Sequence, residues 1–150
     1  PVLRPEAAEG YFDFIPAIFS DIIHRAYAET GGLLPRRPRD KRILEVLEFL
    51  RLHSHENPTA VRTAELVFMS PSRLLHLFKL ECGIGMGEYL LKLRLRKARR
   101  FLLAADWPIS RVAEKSGFTD QSYFTSMFRR EFGLPPLRYR RKHGHAPYTV

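Results

Sequence analysis

Five side chains within GFTDQSYFTSMFRREFG, Gly117 to Gly133, have the types and spacing to read the edge of another molecule. Gln121, Ser122, Thr125, Ser126 and Arg129 recur at intervals of one, three and four, so a helix gathers them on one face. Amides and hydroxyls donate and accept hydrogen bonds, while a guanidinium grips an anionic oxygen. Such a face matches base edges in a DNA major groove, with its cation on a phosphate. The opposite face carries Tyr123, Phe124, Met127, Phe128 and Phe132, whose helical spacing is that of a core rather than of a base-stacking platform.

The same pattern stands earlier in the chain. AELVFMSPSRLLHLFKLECGIGMGEY superposes on AEKSGFTDQSYFTSMFRREFGLPPLRY with one extra residue before the second helix. Ala64 and Glu65 fall on Ala113 and Glu114. Beyond the insertion the offset is a constant 50 residues, which sets Ser70 on Asp120, Ser72 on Ser122, Leu74 on Phe124, Phe78 on Phe128, Lys79 on Arg129, Glu81 on Glu131, Gly83 on Gly133 and Tyr89 on Tyr139. Caps, core positions and a terminating glycine stay in step, so the chain holds two copies of one supersecondary unit. Each is a short helix, a tight turn and a capped helix, the outline of a helix-turn-helix. In the first copy Leu74, Leu77 and Phe78 form the back, and Ser72, Arg73, Leu75, His76 and Lys79 the front. Leu75 suits either a thymine methyl or the core; His76 suits a base contact or a plain surface position.

These faces need helices to carry them. Asp40 can cap RILEVLEFLRLH, which runs without breakers to HSHENP. VRTAELVFM reads as a short helix, and Ser70-Pro71 as the cap and first residue of PSRLLHLFKLE, ending near Gly83. A long helix follows from about Met86 to Ala105, then a short one from Ile109 to Ser116, the helix capped by Asp120, and a last turn or two, LRYRRK, from Pro135 or Pro136. No alternating strand pattern appears, so the fold expected is all-α. Two helix-turn-helix units, at 41–85 and 106–142, flank a connecting helix at 86–105 in a DNA-binding domain of 41–150. Before it, an amphipathic helix runs from Pro16 to Glu29 and LLPRRPRD reads as a linker, so 1–40 forms a separate segment. A connecting helix of about 20 residues is ~30 Å long, close to the ~34 Å between successive major grooves on one side of B-DNA. One chain can then span two grooves without a dimer. Lys92, Arg94, Arg96, Lys97, Arg99 and Arg100 load that helix with charge, and Arg94 and Arg96 are expected on phosphates, with Lys79 and Arg129.

Charge agrees with an anionic partner. Residues 1–40 hold 5 Lys and Arg against 6 Asp and Glu, and the remainder 20 against 10, within a chain of 150 residues and net charge +9. No apolar run approaches a membrane span and no signal segment opens the chain, so a cytoplasmic, nucleoid-associated protein is expected. The first residue is Pro1 rather than Met, which suggests a piece of a longer protein. His53, His55, His143 and His145 lack carboxylate or thiolate company, so neither metal nor cofactor is expected; Cys82 reads as a small half-buried residue. No glycine-rich phosphate loop or nucleophile-base pair points to an enzyme.

The run PISRVAEKSGFTDQSYFTSMFRREFGLPPLRYRR, Pro108 to Arg141, is similar to the signature of the AraC/XylS family of bacterial transcription regulators. Ile109, Ala113, Gly117, Phe118, Gln121, Ser122, Tyr123, Phe124, Phe128, Gly133, Pro136, Tyr139 and Arg140 carry the resemblance; in the first unit Ala64, Ser70, Leu74, Phe78, Gly83, Tyr89, Arg94 and Ala98 do. The resemblance implies two helix-turn-helix subdomains joined by a long helix, binding double-stranded promoter DNA in a regulator that is most often an activator working with RNA polymerase. With it, Arg140 joins the phosphate contacts. Many members carry an N-terminal sensor and dimerisation domain, so the Pro16–Glu29 helix is expected to belong to one or to make a homodimer contact. The alternative function is a protein-interaction module that contacts RNA polymerase or another regulator and binds DNA weakly. Phe68 stands where the family has a glycine. A phenylalanine does not easily take positive φ, so the first turn is expected to be built differently.

Overall fold

The computed structural model describes residues 33–144; the expected Pro16–Glu29 helix and His145 lie outside them. Within that range are seven helices and no strand: α1 Lys41–His53, α2 Ala60–Leu66, α3 Pro71–Cys82, α4 Met86–Ala104, α5 Ile109–Lys115, α6 Gln121–Phe132 and α7 Pro136–His143. Helix α1 begins where Asp40 accepts the Arg42 backbone N–H at 2.9 Å, and it buries Ile43, Val46, Leu47 and Leu50, one stripe at helical spacing. Helix α2, capped by Thr59, stops at Leu66, earlier than VRTAELVFM suggested, because Val67 to Met69 fold back onto the carbonyls of Ala64 and Glu65.

The long α4 is shared. On its N-terminal side α1, α2 and α3 pack together, with α1 and α3 on α4; at its other end α5, α6 and α7 pack on it. Leu95, Ala98 and Leu102 of α4 enclose the second core with Val112, Ala113, Phe118, Phe124 and Phe128. At 19 residues α4 is about 28 Å long.

The internal repeat holds in three dimensions. Helices α3 and α6 both have 12 residues, are capped by Ser70 and Asp120, and end at left-handed Gly83 and Gly133, with φ of 80° and 79°. Those glycine N–H groups donate to Lys79 O and Arg129 O at 2.9 and 2.8 Å, closing each helix with a satisfied carbonyl. The likeness extends to the next helix, where Tyr89 meets Phe78 at 5.8 Å between ring centroids and Tyr139 meets Phe128 at 5.4 Å.

The two turns also match, contrary to the expectation set by Phe68. Phe68 adopts φ 54° and Gly117 φ 96°. Phe68 N donates to Glu65 O and Met69 N to Ala64 O, as Gly117 N donates to Glu114 O and Phe118 N to Ala113 O. The backbone hydrogen bonds of the turn therefore impose the left-handed conformation on a phenylalanine. Its ring is 97% exposed.

The stretch read as a linker is tied down. Glu81 near the end of α3 accepts the backbone N–H groups of Arg39 and Asp40 at 2.7 and 3.1 Å, and Arg36 N donates to Cys82 O at 3.3 Å. The Arg36 bond satisfies a carbonyl at the C-terminus of α3, and the Arg39 and Asp40 N–H groups hold the Glu81 carboxyl below the usual range.

Candidate nucleic-acid interface

Helix α6 presents Gln121, Ser122, Ser126 and Arg129 to solvent, with Thr125 half-buried at the margin. Phe124 and Phe128 are fully buried beneath them, and their rings continue a chain from Phe118 through Phe124 at 4.9 Å to Phe128 at 5.6 Å, then to Phe132 at 4.6 Å. This stack fixes which way the polar face points. Tyr123, expected in the core, is 51% exposed. It lies about 100° round the helix from Phe124, beyond the edge of the buried stripe, with its ring leaning on Phe118 at 6.3 Å.

Helix α3 repeats the arrangement. Leu74 and Phe78 are fully buried, Leu77 half-buried, and Ser72, Arg73, His76 and Lys79 are exposed. Leu75 is 42% exposed, so the surface reading holds over the core one. Ser70 accepts from Arg73 N at 3.3 Å and Asp120 from Tyr123 N at 2.6 Å, which puts both caps immediately before the first residues of the two polar fronts. Among the described residues Lys79 and Arg129 form no ion pair, and their ammonium and guanidinium groups stand in solvent on the same faces.

Two cations expected on phosphates are engaged inside the fold. Arg94 donates from Nε to Ser54 O at 2.6 Å and from Nη2 to Asn57 Oδ1, bridging α4 to the loop after α1, and burial pulls its pKa down. Arg140 donates from Nε to Leu102 O at 3.2 Å and from Nη2 to Trp107 O at 2.6 Å, with Asp106 3.8 Å from Nη1. It thereby ties α7 to the end of α4 and the strand of chain that leaves it. Arg96 is half-buried on α4; burial lowers its pKa most, Arg99 adds to that and Glu131 opposes it. Arg99 lies over the Phe132 ring at 5.3 Å. Much of the charge on α4 is thus built into the packing of the two units.

Sequence reasoning missed Ser54, Asn57 and the close approach at Gly117, since partners about forty residues away leave no local pattern. Asn57, at φ 55° before Pro58, did offer a signal, because asparagine is among the few side chains that adopt that conformation. Cys82 is deeper than expected, fully buried, and its thiol is pushed up to about 12 by that burial, which keeps it protonated. Among the described residues no three His, Cys, Asp or Glu side chains gather to hold a metal ion, and no helix is long and apolar enough to cross a membrane.

A family model described as "Helix-turn-helix domain" matches residues 63–142. The chain is similar to the arabinose operon regulatory protein of Escherichia coli (strain K12), with 33% identity over 120 residues, covering 79% of this chain and 40% of that one. The C-terminal domain of AraT, a response regulator from Geobacillus stearothermophilus, superposes with a TM-score of 0.69 and 31% identity over 74% of this chain and 93% of that one. The DNA-binding domain of AdpA, a global transcriptional factor in complex with a target DNA, superposes with a TM-score of 0.64 and 26% identity over 69% and 93%. The chain spans between 32% and 42% of the lengths of the curated relatives it matches.

Proposed function

Because the chain belongs to the AraC/XylS family of helix-turn-helix regulators, we propose that it binds double-stranded promoter DNA sequence-specifically and regulates transcription, as an activator. The observation that carries this reading is the pair α3 and α6, alike in length, caps and polar front, joined by one helix about 28 Å long. That length suits two recognition helices in successive major grooves ~34 Å apart. Ser72, Arg73, Leu75 and His76 then face bases in one groove, and Gln121, Ser122, Thr125 and Ser126 in the next. Lys79 and Arg129 hold the phosphates beside them. An activator also meets RNA polymerase, and the segment before Leu33 is the natural place for a sensor or a homodimer contact.

A gel shift on duplexes selected from random sequence by this chain, in rising salt, tests the reading. Several phosphate contacts require affinity to fall by roughly 10³-fold or more between 50 and 200 mM salt. Salt-insensitive or absent binding would favour a protein-interaction module and end the DNA reading.

A further inference from the structure

We infer that Arg94 is a positioning residue, which locks the two helix-turn-helix units against each other through Ser54, Asn57 and Gly117 and so sets the spacing between the DNA segments they read. The inference rests on the DNA-binding reading above. Arg94 belongs to the shared α4, yet both its hydrogen bonds go to the loop between α1 and α2, to Ser54 O at 2.6 Å and to Asn57 Oδ1. Ser54 is 2% exposed, and its carbonyl faces this guanidinium from a covered site. From the other side comes the turn of the second unit. A Cβ on Gly117 would lie 2.9 Å from Arg94 Nε, 2.9 Å from His55 Cα and 2.9 Å from Ser54 O. Three groups of the first unit and of α4 therefore crowd the space that a side chain on Gly117 would need.

Phe68 supplies the internal control. It holds the same place in the first turn, with φ 54° and the same backbone hydrogen bonds, and its side chain meets only solvent. If the turn alone demanded glycine, Phe68 would not stand there. Gly117 is thus needed on two counts: its φ of 96° lies beyond the left-handed conformation that Phe68 adopts, and the absence of a side chain lets the second turn approach the Ser54–His55 backbone and the Arg94 side chain. Asn57 completes the lock, because its own left-handed backbone aims the amide oxygen at Arg94.

A locked seam leaves the recognition helices little freedom to follow a change in the DNA. Inserting two base pairs between the contacted segments moves one groove by about 7 Å and turns it by about 70°. The test uses the full chain and the duplex it selects from random sequence, with and without a two-base-pair insertion, for the wild type, Arg94→Lys and Asn57→Gly. The last variant removes the acceptor while glycine keeps the positive φ, so it carries the test if Arg94→Lys does not fold. The wild type is expected to lose at least about 10-fold in affinity on insertion, and the variants less than about 3-fold, with the salt slope of wild type retained. Variants that keep the full wild-type penalty, or whose salt slope falls by about one charge, overturn the lock, the second outcome returning Arg94 to phosphate binding. A wild type that binds no duplex in a salt-dependent way overturns the DNA reading itself, and the lock with it.

Discussion

Phe68 and Gly117 occupy the same position in two copies of one turn, with φ of 54° and 96°, and have opposite surroundings. Phe68 stands in solvent, whereas Gly117 has no room for a Cβ between Arg94, Ser54 and His55. The pair separates two reasons for glycine that are usually confounded, the sign of φ and the closeness of a neighbour. Each has its own energetic signature.

For Phe68 only the backbone is at issue. A left-handed conformation costs a side-chain-bearing residue roughly 1–2 kcal/mol, and glycine returns part of that as lost chain entropy. Phe68→Gly is expected to raise unfolding free energy by up to about 1 kcal/mol. Gly117→Ala meets both penalties and is expected to lower it by about 2 kcal/mol or more. Urea melts of both variants check this, and a Gly117→Ala protein as stable as the wild type would remove the seam argument.

Arg140 is expected to behave as a structural clamp. Arg140→Ala leaves Leu102 O and Trp107 O without their donor and should cost about 2 kcal/mol in denaturant melts. The salt slope of DNA binding by the folded variant should match the wild type. A slope reduced by about one would place Arg140 on a phosphate after all.

Among the described residues no group pairs with the fully buried Ser116 Oγ, at a site held by Val67 in the first unit. An unpaired buried hydroxyl costs about 1–3 kcal/mol. Ser116→Ala is therefore expected to leave stability unchanged or raise it by about 1 kcal/mol, read from the melting midpoint. A loss would reveal a partner for the hydroxyl.

Acid should loosen the contact at the end of α3. Arg42 holds the Asp40 carboxyl below its ordinary 3.8, and the N–H groups of Arg39 and Asp40 hold Glu81 below its ordinary 4.5. Carboxyls depressed on folding contribute stability above their ordinary values and lose it as pH falls through the folded ones. Stability should fall from about pH 4.5 downward, and more shallowly in Glu81→Gln. Equal acid dependence in the two proteins would show that Glu81 is not part of it.

The helices, caps and repeat were legible in the sequence because each rests on local chemistry: Ser70 and Asp120 before their helices, Gly83 and Gly133 after them, Phe124 and Phe128 four apart. The polar fronts were legible for the same reason. The intramolecular partners of Arg94 and Arg140 were not, because a basic residue on an amphipathic helix reads alike whether or not it meets a carbonyl some forty residues away. Phe68 misled for a different reason. Its side-chain preference pointed away from positive φ, and the hydrogen bonds of the turn overrode it.

Division of labour along the two faces gives a further expectation. Gln121→Ala should reduce discrimination between selected and mutated duplexes by ~1–3 kcal/mol, whereas Lys79→Ala should weaken all sequences alike and lower the salt slope by about one. Competition binding at two salt concentrations distinguishes the roles, and the reverse pattern would exchange them.

One chain is expected to set α3 and α6 in successive major grooves. Methylation interference at guanine N7 on the selected duplex reads this directly, because N7 lies in the major groove. The expected result is two clusters of interference on one face, about 10–10.5 base pairs apart, at a stoichiometry of one chain per duplex, with the cluster assigned to α6 weakened in Gln121→Ala and the other unchanged. A single cluster, or two that appear only when two chains are bound, would contradict it.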